Sequence, residues 1–172
     1  MNVRLASTLL LTASLGLAAC SKKAPEELPP PPAPTTTEAP APAPYTPAGP
    51  TVGSQAHFEN AVNGQNVIYF DTDRYNIDSA DAAALQAQAQ YLARYPQVNI
   101  TIEGHCDERG TREYNLALGE RRANAAKNYL TGLGVDASRI RTVSYGKERP
   151  VALGSDEGSW AQNRRAVSIV IS

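Results

Sequence analysis

Two cysteines, two histidines, two phenylalanines and one tryptophan are all that 172 residues hold of those types, and neither sign of charge prevails, the net charge being -1. Each scarcity excludes a class of protein. Two cysteines cannot build a disulfide scaffold, and two histidines far apart in sequence, with no Cys or His at zinc-ligand spacing, give no metal site. A chain without basic excess lacks the field that draws phosphate backbones, so nucleic acid is not expected as a partner. No Gly-x-Ser-x-Gly elbow or phosphate-cradling glycine loop is present, so no cofactor is expected and the chain does not read as an enzyme. His105, Cys106 and Asp107 are adjacent, but consecutive side chains on an extended segment point apart and do not converge on one ion.

Long hydrophobic runs are also missing. Leu5 to Leu17 is apolar behind Arg4, too short for a comfortable membrane span and therefore read as the core of a cleavable signal. It ends in Leu17-Ala18-Ala19-Cys20, which resembles the bacterial lipobox, so residues 1–19 are expected to be removed and Cys20 to carry lipid. Acyl chains hold a membrane at about 0.8 kcal/mol per buried methylene. With Ser21 rather than aspartate after the cysteine, the lipoprotein rule implies the outer membrane, the chain facing the periplasm. Cys106 is then left without a partner and is expected to be buried and inert.

Proline, by contrast, is concentrated. Eleven of the thirteen prolines lie between Ser21 and Ser54, where no packed core can form. Residues 20–55 therefore read as a lipidated, Pro/Ala-rich tether. About 30 residues of polyproline II at about 3.1 Å each reach on the order of 90 Å. A domain on such a tether is placed to meet something standing off from the membrane.

Residues 56–172 carry the periodic patterns of one domain. Asn66 to Phe70 reads as a strand leading into the polar turn Asp71-Thr72-Asp73. An alanine-rich helix capped by Asp78 or Ser79 runs to Arg94, with Leu85, Leu92 and Tyr95 on one face and Pro96 as its stop. Val98 to Glu103 alternates as a strand, with Val98, Ile100 and Ile102 inward. A second helix from Thr111 to Thr131 carries Leu116, Gly119, Ala123, Ala126 and Leu130 at three- and four-residue spacing. Ile140 to Tyr145 and Arg165 to Ile171 supply two further strands, with Trp160 in the loop between them. The order β-α-β-α-β-β predicts a two-layer α/β (α+β) sandwich, a mixed four-stranded sheet backed by two helices.

Asp107 stands on the loop before the second helix, and Asn115 and Arg122 fall within about 20° of each other on that helix. Spacing alone favours a simple Asp107–Arg122 salt bridge, the alternative being two charges held apart for a zwitterion. The doublets Arg121-Arg122 and Arg164-Arg165 read, on the same grounds, as solvated surface arginines.

The run GHCDERGTREYNLALGERRA from Gly104 to Ala123, with YFDTD at Tyr69 to Asp73, SYGKERP at Ser144 to Pro150 and the triplet Asn163-Arg164-Arg165, resembles the signature of the C-terminal domain of the outer-membrane protein A (OmpA) family. It is most similar to the peptidoglycan-associated lipoprotein branch, over residues 60 to 172. The resemblance implies recognition of the diaminopimelate of peptidoglycan, gripped by Asp107 and Arg122, with Asp71, Thr72, Asp73, Asn115 and Arg164 around the same pocket. Cys106 stands where many such domains have threonine. The resemblance also implies TolB and other Tol-Pal components as partners, and a role linking outer membrane to wall in envelope integrity and cell division. The alternative is a lipoprotein whose domain binds periplasmic proteins rather than wall.

Overall fold

The structure is a computed structural model, and its described residues are 49–171. The expected signal segment, Cys20 and most of the tether lie outside them. The chain runs through α1 (Gln55–Ala61), β1 (Val67–Tyr69), α2 (Ser79–Arg94), β2 (Asn99–His105), α3 (Arg112–Gly132), β3 (Ile140–Gly146), α4 (Glu157–Asn163) and β4 (Arg165–Ile171), with a 3-10 turn at Ala137–Arg139. The two short helices, α1 and α4, were not expected; Trp160 therefore stands on α4 rather than in a loop.

Local chemistry sets the helix starts. Ser54, Asp78, Thr111 and Asp156 each place a side-chain oxygen against a backbone N–H of the first turn of α1, α2, α3 and α4, satisfying donors that a helix start otherwise leaves open. At the far end of α3 the chain turns through Gly134 at φ +95°, a conformation that glycine adopts without strain.

The sheet order is β1-β4-β2-β3. β2 and β3 are parallel, with Ile100 opposite Ile140, and are joined across the sheet face by α3. The last strand is inserted rather than added at an edge. β4 pairs antiparallel with both β1 and β2, so β1, β2 and β3 all point the same way. The loops that follow them, and the entry into β4, therefore gather at one end of the sheet.

Alternation sorts the strand faces: Ile100 and Ile102 are fully buried, while Thr101 and Glu103, alternating with them, are half-buried. Phe58, Leu85, Leu92 and Leu130 join them in the core, each large side chain contributing about 1.5–3 kcal/mol on burial. Along α3 the buried stripe includes Leu118, whereas Leu116, expected there, is only half-buried. A buried polar bridge crosses the same layer: the Ser168 hydroxyl donates to Gln88 Oε1 at 2.7 Å, and Gln88 Nε2 donates to the Gln65 carbonyl at 2.7 Å.

Where α3 crosses β2, two backbones touch. A Cβ on Gly104 would collide with the carbonyl group of Gly119, and backbone cannot rotate away as a side chain can. Gly104→Ala is expected to lower stability by about 3 kcal/mol through overpacking, measured by urea unfolding. An unchanged midpoint would show that α3 lifts from the sheet at no cost.

A candidate ligand-binding site at the loop end of the sheet

Three consecutive residues leave β2 in three directions. The His105 ring lies at 5.6 Å from the Tyr145 ring in a stacked arrangement. Cys106 donates its thiol to the Asn115 carbonyl at 3.3 Å, and burial pushes that thiol up to about 11, so it stays protonated. Asp107 points to the arginines described below.

His105 is 2 % exposed, and neither ring nitrogen has a hydrogen-bond partner. Glu103 stands at 3.6 Å, beyond hydrogen-bond reach. Burial, with Arg165 and Arg149 adding repulsion, lowers the imidazole from 6.5 to about 4. The unfolded chain thus binds a proton that the folded one refuses between those values. Stability should be full above the unfolded pKa and fall as pH drops towards the folded one, by about 2 kcal/mol between pH 7.5 and pH 5. Urea unfolding at the two values checks this, and His105→Phe should remove that part of the dependence.

The site itself is a cavity of about 230 Å³ lined by the loop after β1, the loop after β2 and the first turns of α3, among them Thr72, Asp73, Asp107, Arg109, Asn115 and Arg122. Asp107 is 7 % exposed and does not bond Arg122, contrary to the simple bridge. Its Oδ1 accepts from Arg109 N at 3.1 Å and Arg109 Nε at 3.2 Å, and its Oδ2 from Arg109 Nη2 at 2.6 Å. Arg164 Nη1 stands 3.5 Å from the same Oδ2. Burial alone would raise the Asp107 carboxyl, but the hydrogen bonds and charge of Arg109, with Arg164, outweigh it and hold the carboxyl below its ordinary value.

Arg122 is 0 % exposed. Its Nε donates to the Arg74 carbonyl at 2.9 Å, Nη1 to that of His105 at 2.8 Å and Nη2 to that of Asp71 at 3.0 Å. One guanidinium therefore ties the loop after β1 to the end of β2. Three of its five N–H groups are used in this way, and its charge lines the cavity, with burial pulling its pKa below the ordinary arginine value. The surface reading of the doublets fails for three of four: Arg122, Arg164 and Arg165 are buried and only Arg121 is exposed. Each of the three donates to main-chain carbonyls, which offset the loss of water.

Asn115 closes the second loop, donating from Nδ2 to the carbonyls of Arg109 at 2.7 Å and Thr111 at 3.0 Å. Asp73, at φ +56°, accepts from the Tyr114 hydroxyl at 3.2 Å. Asp107, Arg122, Asn115, Thr72 and Asp73 are thus brought to one cavity. Asp71 and Arg164 line a neighbouring one and reach the first through the Asp71 carbonyl and through Asp107.

Arg109 and Tyr114 are the residues that sequence reading missed. Arg109 spans the mouth, with Nη2 also 3.2 Å from Thr72 Oγ1 and its guanidinium carbon 4.2 Å from the centre of the Trp160 ring. Trp160 in turn donates to Glu108 Oε1 at 3.0 Å. The available signal was proximity alone: Arg109 lies two residues after Asp107, and Tyr114 one before Asn115.

The loops after β1 and β2 and the helix α3, rather than the sheet faces, carry the groups that line the cavity, at one end of an α/β domain. The OmpA family pattern matches residues 69–164, more than half of the chain. A peptidoglycan-associated lipoprotein of Rhizobium meliloti is 49% identical over 160 residues, covering 93% of this chain and 84% of the relative. One from Agrobacterium fabrum is 56% identical over 120 residues, 70% of this chain and 67% of that protein. The crystal structure of the peptidoglycan-associated lipoprotein from Burkholderia pseudomallei superposes with a TM-score of 0.63 at 50% identity, covering 66% of this chain and 96% of that one. The chain belongs to the OmpA family and, within it, to the peptidoglycan-associated lipoproteins.

Proposed function

We propose that this protein is an outer-membrane lipoprotein, acylated at Cys20, that holds peptidoglycan without a covalent bond through the zwitterionic side-chain terminus of diaminopimelate. The observation that carries the reading is the cavity in which a buried carboxylate, Asp107, and a buried guanidinium, Arg122, are held without bonding each other. A terminus bearing ammonium and carboxylate on one carbon offers each of those two charges its opposite. The ammonium takes Asp107 in place of the Arg109 side chain, and the carboxylate lies towards Arg122, whose buried charge favours it. Asn115 fixes the loop that presents Asp107. Thr72 and Asp73 complete the lining, with Asp71 and Arg164 reaching it through the Asp71 carbonyl and through Asp107.

The domain so engaged links outer membrane to wall across the Pro-rich tether, supporting envelope integrity and division within the Tol-Pal system. TolB is the partner for a surface overlapping the same rim, so wall and partner exclude each other there.

Calorimetric titration of the full chain with a diaminopimelate-containing stem peptide, and with its lysine-containing equivalent, tests the reading. Losing the side-chain carboxylate removes a charge-assisted contact of about 1.5–3 kcal/mol, so the lysine peptide should bind at least about tenfold more weakly. Equal affinities would remove Arg122 from ligand recognition. No binding of either would leave a domain serving periplasmic protein partners.

A further inference from the structure

A second cavity, of about 390 Å³, opens between the loop after β1, the start of α2 and the end of α4. Its lining places three carboxylates, Asp71, Asp78 and Asp81, against one guanidinium, Arg164. That guanidinium is already engaged by the Phe70 carbonyl, Asp107 and Glu157. Among the described residues the cavity is therefore net negative, with its one cation already engaged.

Asp81 is the unusual member. It occupies the third residue of α2, where an acidic side chain ordinarily reaches back to the helix cap. Here Oδ1 instead accepts from the Tyr69 N–H at 3.1 Å. Asp81 is 6 % exposed, and its Oδ2 is buried with no hydrogen-bond partner. An unsatisfied buried carboxylate oxygen costs the full desolvation of that atom unless a donor comes to it. Burial raises the Asp81 carboxyl, against the Tyr69 N–H bond that lowers it, and the charges of Asp78 and Asp71 raise it further. The charge of a bound cation would offset these raising effects.

The chemistry of that cation is constrained. Among the described residues no group of three or more acidic, cysteine or histidine side chains is placed to hold a metal ion. A ligand carrying its own carboxylate would meet the unneutralised aspartates. Tyr69, 52 % exposed, Phe70 and Ala161 supply an apolar wall beside the carboxylates, which suits a methylene stem ending in a charge. We propose that this cavity receives the lysine side chain of a protein partner, its ammonium donating to Asp81 Oδ2 with Asp71 and Asp78 as its counter-charges. The site adjoins the pocket around Asp107, with Arg164 between the two, but its ammonium is held by different carboxylates and it stands whether or not that pocket binds the wall.

The test is an amide-resolved NMR titration of the full chain with Nα-acetyl-lysine methylamide, the same compound acetylated on Nε, and glycine as a zwitterion. The ammonium probe is expected to give saturable shifts at Tyr69, Asn76, Asp81 and Gln162, and the Nε-acetylated probe none. Asp81→Asn, which keeps an oxygen for the Tyr69 N–H, should weaken binding of the ammonium probe at least tenfold. Asp71→Asn, on a loop outside the helix, should weaken it severalfold and serves if the first variant does not fold. Equal shifts with both lysine probes, shifts only between Cys106 and Asn115, or unchanged binding in the folded variants would overturn the proposal. Glycine is expected to move Asp107 to Asn115 and leave this cavity untouched, so its failure bears on the wall pocket alone.

Discussion

Arg122→Ala is expected to lower the stability of the domain by about 3–5 kcal/mol, measured by urea unfolding at neutral pH, a large share of the 5–15 kcal/mol typical of a folded protein. The guanidinium donates to three carbonyls, those of Arg74 and Asp71 in the loop after β1 and that of His105 at the end of β2. Its removal strands those acceptors and opens a void beside Phe70, over whose ring the guanidinium carbon lies at 5.1 Å. Arg122→Lys would keep the charge but not the planar fork, so it reaches fewer of the three and should recover only part of the loss. Loss of wall binding in either variant would then confound two effects. The loop after β1 that lines the cavity is held in place by the residue expected to attract the ligand.

That double duty was not legible in the sequence. Charged residues are by default exposed, and two of the acceptors that let Arg122 be buried lie 48 and 51 residues away, a relation no helical spacing contains. What spacing did convey was that Asn115 and Arg122 share a helix edge near Asp107, and the structure puts all three on one cavity. The same contrast holds for the fold. α2, α3 and the strands carry enough apolar residues at period 3.6 or 2 to be seen. α1 and α4, at seven residues each, have one buried residue apiece, Phe58 and Asn163, and no period to detect. Their starts rest on Ser54 and Asp156, residue types equally at home in any turn. The insertion of β4 between β1 and β2 was hidden for another reason: strand pairing joins Tyr69 to Arg165 across most of the domain, and local patterning does not choose between the edge and the centre of a sheet.

Asp107→Asn is the variant that separates recognition from folding. It removes the charge that the ammonium of diaminopimelate would meet, a loss of about 2–3 kcal/mol or roughly a hundredfold in affinity, in calorimetric titration with the stem peptide. The fold should change little. Arg164 keeps the Phe70 carbonyl and Glu157, and an amide oxygen in place of Oδ1 still accepts from the Arg109 N–H. In the wild type, binding should be flat from pH 8 to pH 5. Arg109 and Arg164 hold the Asp107 carboxyl below its ordinary value, so the charge is present throughout that range and is lost only as pH falls through the lowered value. Arg109→Ala then asks what the empty pocket costs its ligand. In the absence of ligand the Arg109 side chain donates to both oxygens of Asp107, occupying the place of the incoming ammonium, and every binding event must displace it. The Asn115 clamp grips the Arg109 backbone carbonyl rather than its side chain, so the loop should survive truncation to alanine. Affinity for the stem peptide is therefore expected to rise severalfold in Arg109→Ala. A fall would instead place that guanidinium on the ligand carboxylate and make it part of the grip.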